Sequence, residues 1–167
     1  MKEWKYLWTE PFKARYAVAA YFLKDCPFIL EIGGYKTPIS DFVCNKTVHV
    51  VDPRTDKKHE GNIHHFPIML KEYPHTPPQP YGLVILGLEL HLYEEEWQRI
   101  FDLVRNAATV VIETPIEHPT SVDQFNKILQ NTNRPIKHTI KLDLSQNDFS
   151  DLEDTAPPKC IRVVYIL

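Results

Sequence analysis

The chain has 167 residues, 43% of them hydrophobic and 25% charged, with a formal net charge of −3. That length suits one domain that buries about 70% of the surface of its unfolded chain, and the mildly acidic balance argues against a general nucleic-acid binder, whose footprint would be basic. No apolar run approaches the roughly 20 residues of a membrane-spanning helix, and Met1-Lys2-Glu3-Trp4-Lys5 does not open like a signal peptide. Cys26, Cys44 and Cys160 are odd in number, widely spaced and without a CxxC pair, the pattern of reduced thiols. The expected location is therefore cytoplasmic.

Residues 1–12 carry Trp4, Tyr6, Leu7, Trp8 and Phe12 among charges, an arm that packs on the domain or covers a ligand. Ala14 to Lys24 reads as a helix with Ala14, Ala17, Val18, Tyr21 and Phe22 on one stripe, stopped at Asp25-Cys26-Pro27. Phe28-Ile29-Leu30-Glu31-Ile32 is short, nearly continuous in apolar residues and broken by Gly33-Gly34, as in a strand buried on both faces that ends in a sharp turn. Thr37 to Val43 predicts a helix start, with Thr37 as N-cap and Pro38 at the first helical position. Thr47 to Asp52 is a second, β-branched strand. The spacing from Glu31 to Asp52 is one strand–helix–strand unit, so the two strands run parallel with their C-terminal ends adjacent.

Asn62 to Met69 holds a weak third strand, followed by a proline-rich loop from Tyr73 to Pro80. Tyr81 to Leu88 is a clear strand. Glu94 to Asn106 is the clearest helix, with Trp97, Ile100, Phe101 and Val104 on one face and three glutamates in its first turn. Ala108 to Thr114 is another buried strand, and Ser121 with Gln124 predicts a capping box for a further helix. Ile136 to Leu144 alternates, placing His138, Ile140, Leu142 and Leu144 on one face, and Cys160 to Leu167 closes the chain as a strand. Only the polar stretch Ser145–Pro158 separates these two, so they should pair antiparallel. The expected fold is α/β: a single domain over residues 1–167, with a doubly wound, mostly parallel seven-stranded sheet, an antiparallel C-terminal strand and an α/β/α sandwich.

In order and spacing the chain resembles the class I S-adenosylmethionine-dependent methyltransferases over nearly its whole length. Three segments carry the resemblance. Glu31-Ile32-Gly33-Gly34 matches the family's acidic residue and glycine turn after the first strand. Asp52 matches the acidic end of the second strand. Leu88-Glu89-Leu90-His91-Leu92 matches a short Glu-x-His segment after the fourth. The glycine turn continues as Tyr35-Lys36-Thr37 without further glycines, and Gly82 stands where the family commonly has aspartate. No acidic residue follows the third strand, and no Asn-Pro-Pro-Tyr-type segment follows the fourth.

The resemblance implies S-adenosylmethionine as cofactor. It implies that Gly33 and Gly34 let the backbone approach the methionine part and that Glu31 orders this loop or meets the ammonium. Asp52 would hold the ribose, Pro53 and Arg54 would lie near the adenine, and Glu89 would orient the cofactor. His91 would stand between cofactor and acceptor as the base that takes the acceptor's proton, with His118 a second candidate. The implied activity is methylation of a small-molecule acceptor, with no membrane partner. Water exclusion then falls to Trp4, Trp8, the Ser145–Pro158 loop or a second subunit. The alternatives are a catalytically silent relative serving as a binding or assembly module, and a nicotinamide-dinucleotide domain, which the absence of GxGxxG disfavours. His59, His64, His65 and Glu60 match no compact metal-ligand spacing, so no metal is expected.

Overall fold

The computed structural model describes residues 10–34, 39–87, 90, 92–143 and 161–167, with side chains from residue 13 onward. Helix α1 (Glu10–Phe22) leads into β1 (Phe28–Ile32), β2 (Thr47–Val51), β3 (Ile63–Phe66) and β4 (Tyr81–Leu86). After these come α2 (Glu94–Asn106), β5 (Thr109–Pro115), α3 (Pro119–Thr132), β6 (His138–Asp143) and β7 (Ile161–Ile166). The strands form one seven-stranded sheet in the order β3-β2-β1-β4-β5-β7-β6. Pairing is parallel from β3 through β5, and β7 is antiparallel to both of its neighbours.

Strand alternation sorts the side chains onto two faces. Leu30, Leu83 and Ile112 join a core with Ile100 and Phe101 of α2 and Ile128 of α3. Ile29, Val84 and Val111 face the other way and pack with Tyr16 and Ala19 of α1 and with Leu23 just after it. The register sets Ile32 opposite Val51, Glu31 opposite Val84 and Leu86 opposite Glu113. The C-terminal ends of β1, β2, β4 and β5 thus lie side by side, at the edge where such sheets bind ligands.

Three local expectations are corrected. The helix expected over Thr37–Val43 is, among the described residues, only a 3-10 turn at Ile39–Asp41, with Thr37 and Pro38 outside them. On α1 and just after it the buried residues are Arg15, Tyr16, Ala19 and Leu23, whereas Ala14 and Ala17 are exposed and Tyr21 is 63% exposed. The helix is turned because Arg15 is drawn onto a buried glutamate (below) and Leu23 lies against Gly82, where a Cβ would stand 2.3 Å from Leu23 Cδ2. That contact explains a glycine at the second residue of a fully buried strand. Finally, α3 begins at Pro119 with His118 at its N-cap, and Ser121 sits buried inside the first turn. Proline at the first helical position starts the helix two residues before the serine.

Candidate functional site

Burial of β1 on both faces carries Glu31 fully inside. Its Oε2 accepts the N–H of Ile39 at 2.6 Å, closing the connection that follows the glycine turn. Its Oε1 has no partner among the described residues. Burial pushes the carboxyl up to about 8, against the Ile39 hydrogen bond and the positive charge of Arg15. The two glycines do different things. Gly33 has φ +78° with nothing within 4 Å of where a Cβ would stand, so the turn presents open backbone there. Gly34 is packed: a Cβ would lie 2.7 Å from Glu31 Oε2 and 2.8 Å from Val50 Cγ1. One glycine offers a surface, and the other makes room for the carboxyl.

Asp52 lies directly after β2 and is 1% exposed. Its Oδ1 accepts the backbone N–H of Arg54 at 2.8 Å and Arg54 Nε at 3.2 Å. Its Oδ2 accepts Arg54 Nη2 at 3.1 Å. Pro53 and Arg54 are exposed. Arg54 therefore wraps the carboxylate that was expected to take ribose hydroxyls. The N–H of Gly33 donates to the carbonyl of Val51 at 2.9 Å, which ties the glycine turn to the strand end that carries Asp52.

Glu89 and His91 lie outside the described residues. Between them Leu90 lines a cleft of about 530 Å³ with Met69, Leu92, Tyr93, Trp97 and Gln124, walled by the turns after β3 and β4 and by α2 and α3. His118 is exposed at the head of α3. His64 and His65 point to opposite faces of β3, as adjacent strand residues must. His64 lies in a ring cluster with His49, at 5.1 Å between centroids, and with His59, also at 5.1 Å. Among the described residues no three His, Cys, Asp or Glu side chains are grouped to hold a metal.

One charged cluster escaped the sequence. Glu113 of β5 is fully buried, with Arg15 Nη1 at 3.0 Å on Oε2 and Arg162 Nη1 at 2.9 Å on Oε1. The only signal in the sequence is a carboxylate inside the apolar run Val110-Val111-Ile112-Glu113, which demands a partner without naming it.

The residues present fit part of S-adenosylmethionine. The open Gly33 turn, the unpartnered Glu31 oxygen behind it and the buried Asp52 carboxylate on the next strand suit its methionine and ribose portions. After β3 the chain reads Pro67-Ile68-Met69, apolar and without the acid that would meet an adenine amine.

No protein-family model matches the sequence, and no curated protein does. Solved structures do share its fold. The 1,6-didemethyltoxoflavin-N1-methyltransferase of Burkholderia thailandensis, with 1,6-didemethyltoxoflavin and S-adenosylhomocysteine bound, covers 97% of this chain and 79% of its own, with TM-score 0.68 and 8% identity. The plantazolicin methyltransferase BpumL in complex with SAH covers 93% of this chain and 82% of its own, with TM-score 0.54 and 10% identity. The structure of aTrm5 with tRNALeu covers 95% of this chain and 46% of its own, with TM-score 0.59 and 8% identity. At such identities the likeness speaks for architecture. The strand order, the reversed β7 and these neighbours together show that the chain has the Rossmann-like fold of the class I S-adenosylmethionine-dependent methyltransferases.

Proposed function

We propose that this protein is an S-adenosylmethionine-dependent methyltransferase acting on a small-molecule acceptor. The observation that carries the reading is the buried Asp52 carboxylate beside the open left-handed Gly33 turn, at the adjacent ends of β2 and β1. Structural neighbours solved with S-adenosylhomocysteine or SAH, one of them also holding a small heterocycle, support the same reading.

S-adenosylmethionine, when bound, supplies a methyl group already activated by its sulfonium. The protein is left to align the acceptor, exclude water and, for a hydroxyl or ammonium acceptor, remove a proton. Gly33 would admit the methionine backbone and Asp52 would accept the ribose hydroxyls. Glu31 would order the loop through Ile39. Gly34 would serve Glu31 by packing. Pro53 and Arg54 would border the adenine end, and Glu89 would orient the cofactor. His91 would take the acceptor's proton.

A second reading has its own observation. Arg54 already satisfies Asp52 with three hydrogen bonds, as in a fold kept for binding or assembly with the cofactor site closed. Calorimetric titration with S-adenosylhomocysteine separates the two. The methyltransferase reading expects saturable binding that Asp52→Asn weakens at least about tenfold, a loss of roughly one charge-assisted hydrogen bond. Absence of binding to the wild-type protein would favour the silent fold.

A further inference from the structure

The six residues that line the cleft between α2, α3 and the turns after β3 and β4 carry no charge. Their backbone is sealed as well. Met69 donates its N–H to Glu72 Oε2 at 2.9 Å, and its carbonyl accepts the N–H of Glu72 at 3.0 Å. Leu90 is served twice by one amide: Gln124 Oε1 accepts its N–H at 2.9 Å, and Gln124 Nε2 donates to its carbonyl at 2.8 Å. Tyr93 donates its N–H to Glu96 Oε2 at 3.0 Å, and its carbonyl accepts the N–H groups of Glu96 and Trp97. Three residues of the wall thus have both backbone groups engaged within the protein.

The charges nearby are committed too. Glu96 is fully buried, and its Oε1 accepts the N–H of Lys71 at 3.2 Å. The Lys71 ammonium lies 4.4 Å from the centre of the Tyr93 ring, and that of Lys127 lies 4.6 Å from the centre of the Trp97 ring. Lys127 also pairs with Glu94 at 3.4 Å. With the Gln124 amide spent on Leu90, the Tyr93 hydroxyl and the Trp97 N–H are the side-chain hydrogen-bonding groups left in the lining. A charged or many-hydroxyl guest would shed its hydration here and find few partners, whereas a flat apolar ring would lose little.

In the sheet, β3 and β4 flank the β2–β1 pair, after which come Asp52 and Gly33. The cleft therefore shares the ligand edge with the proposed cofactor residues. We infer that this cleft receives the methyl acceptor, and that the acceptor is an uncharged, largely apolar ring compound rather than a nucleotide, a sugar phosphate or an amino acid. The inference rests on the methyltransferase reading and narrows its substrate class.

Equilibrium dialysis of the full chain against 2-naphthol, 2-naphthoate and uridine tests it, each with and without saturating S-adenosylhomocysteine. 2-Naphthol should bind at least about tenfold tighter than 2-naphthoate, which has the same rings but must strip water from a carboxylate. Uridine should bind no better than 2-naphthoate, and S-adenosylhomocysteine should leave 2-naphthol bound. Met69→Gln, close in volume but polar, should weaken 2-naphthol about tenfold while the folded protein persists. Leu92→Asn should act in the same direction and secures the test should the first variant fail to fold. Equal or tighter binding of 2-naphthoate or uridine would overturn the substrate class. No binding of 2-naphthol, or binding unchanged in both variants, would overturn the assignment of the cleft. Displacement of 2-naphthol by S-adenosylhomocysteine would make the cleft part of the cofactor pocket and overturn it as well. Failure of S-adenosylhomocysteine to bind the wild-type protein is read in its own arm: it removes the methyltransferase reading, and the acceptor role with it, whatever 2-naphthol does.

Discussion

The Arg15 guanidinium of α1 lies 3.0 Å from the Glu113 carboxylate of β5, and both side chains are buried. Arg162 of β7 holds the other carboxylate oxygen at 2.9 Å, so one anion joins three elements far apart in the chain. The turn after β4 rests on this cluster: the N–H of Gly87 donates to the carbonyl of Glu113 at 3.2 Å. The position of α1 against the sheet is thus set by charge as well as by the packing of Tyr16, Ala19 and the following Leu23.

Glu113→Gln would leave two guanidiniums buried around a neutral amide. It should destabilise the protein by about 3–5 kcal/mol, the usual effect of breaking a buried pair from one side. Arg15→Met should cost less, because Arg162 still serves the carboxylate and the methionine refills the volume. Urea unfolding of the two variants gives the comparison. A loss below about 1 kcal/mol for Glu113→Gln would place the cluster in the surface class of ion pairs.

Glu31 makes stability depend on pH in the alkaline direction. Its folded carboxyl titrates at about 8, raised by burial from an ordinary 4.5, so the folded state holds the proton more tightly than the unfolded chain. The associated stability is complete below the ordinary value and is lost as pH rises through the folded one. Glu31→Gln, which stays neutral, should therefore gain on the wild type between pH 4.5 and 8 by a few kcal/mol and then level off. Unfolding curves over that range measure the gap. A constant gap would mean that the carboxyl is ionised throughout.

His49 acts at the acid end. It stands on β2 with its Nδ1 2.6 Å from Tyr73 Oη, and its ring is 5.1 Å from His64 and 5.3 Å from His75. Phe28 of β1 and Phe66 of β3 also meet the ring, and His59 meets His64 edge-on. Burial, together with the neighbouring imidazoles of His64, His75 and His59, lowers its pKa to about 4. A depressed folded pKa gives stability that is present above the ordinary 6.5 and lost as pH falls through the folded value. His49→Phe should flatten the fall in stability between pH 6.5 and 4 by close to one linked proton. An unaltered slope would assign the acid sensitivity to other groups.

Much of the fold was legible because its central strands, β1, β4 and β5, are largely apolar runs and α2 has an unbroken apolar face. Trp97, Ile100, Phe101 and Val104 are all buried as their spacing requires. The face of α1 was not legible. Alanines and aromatics ring that helix nearly evenly, and the deciding contact, Arg15 to Glu113, spans 98 positions. The capping reading of Ser121 and Gln124 failed for a similar reason. The local pattern was present, but Pro119 started the helix earlier and Gln124 was committed to Leu90. In the candidate site, Asp52 and the glycine turn were legible as strand ends. The difference between the two glycines was not, since it depends on which one the Glu31 side chain folds beneath.

That difference yields a final expectation. Gly33→Ala meets no neighbour but must hold a left-handed backbone, so it should cost only about 1–2 kcal/mol of stability. Its methyl group would, however, project into the open turn, and S-adenosylhomocysteine affinity should drop well beyond what the stability change explains. Gly34→Ala drives a methyl into Glu31 Oε2 and Val50 Cγ1 and should destabilise by about 1–3 kcal/mol, the range for overpacking. Val50→Ala opens that space, so the loss caused by Gly34→Ala should shrink on a Val50→Ala background, while the loss caused by Gly33→Ala should not. Thermal unfolding with and without S-adenosylhomocysteine reads both effects, because a ligand that binds only the folded state raises Tm. If Gly33→Ala keeps the full ligand-induced shift, the cofactor does not use this turn, and Asp52 loses the neighbour on which its proposed role depends.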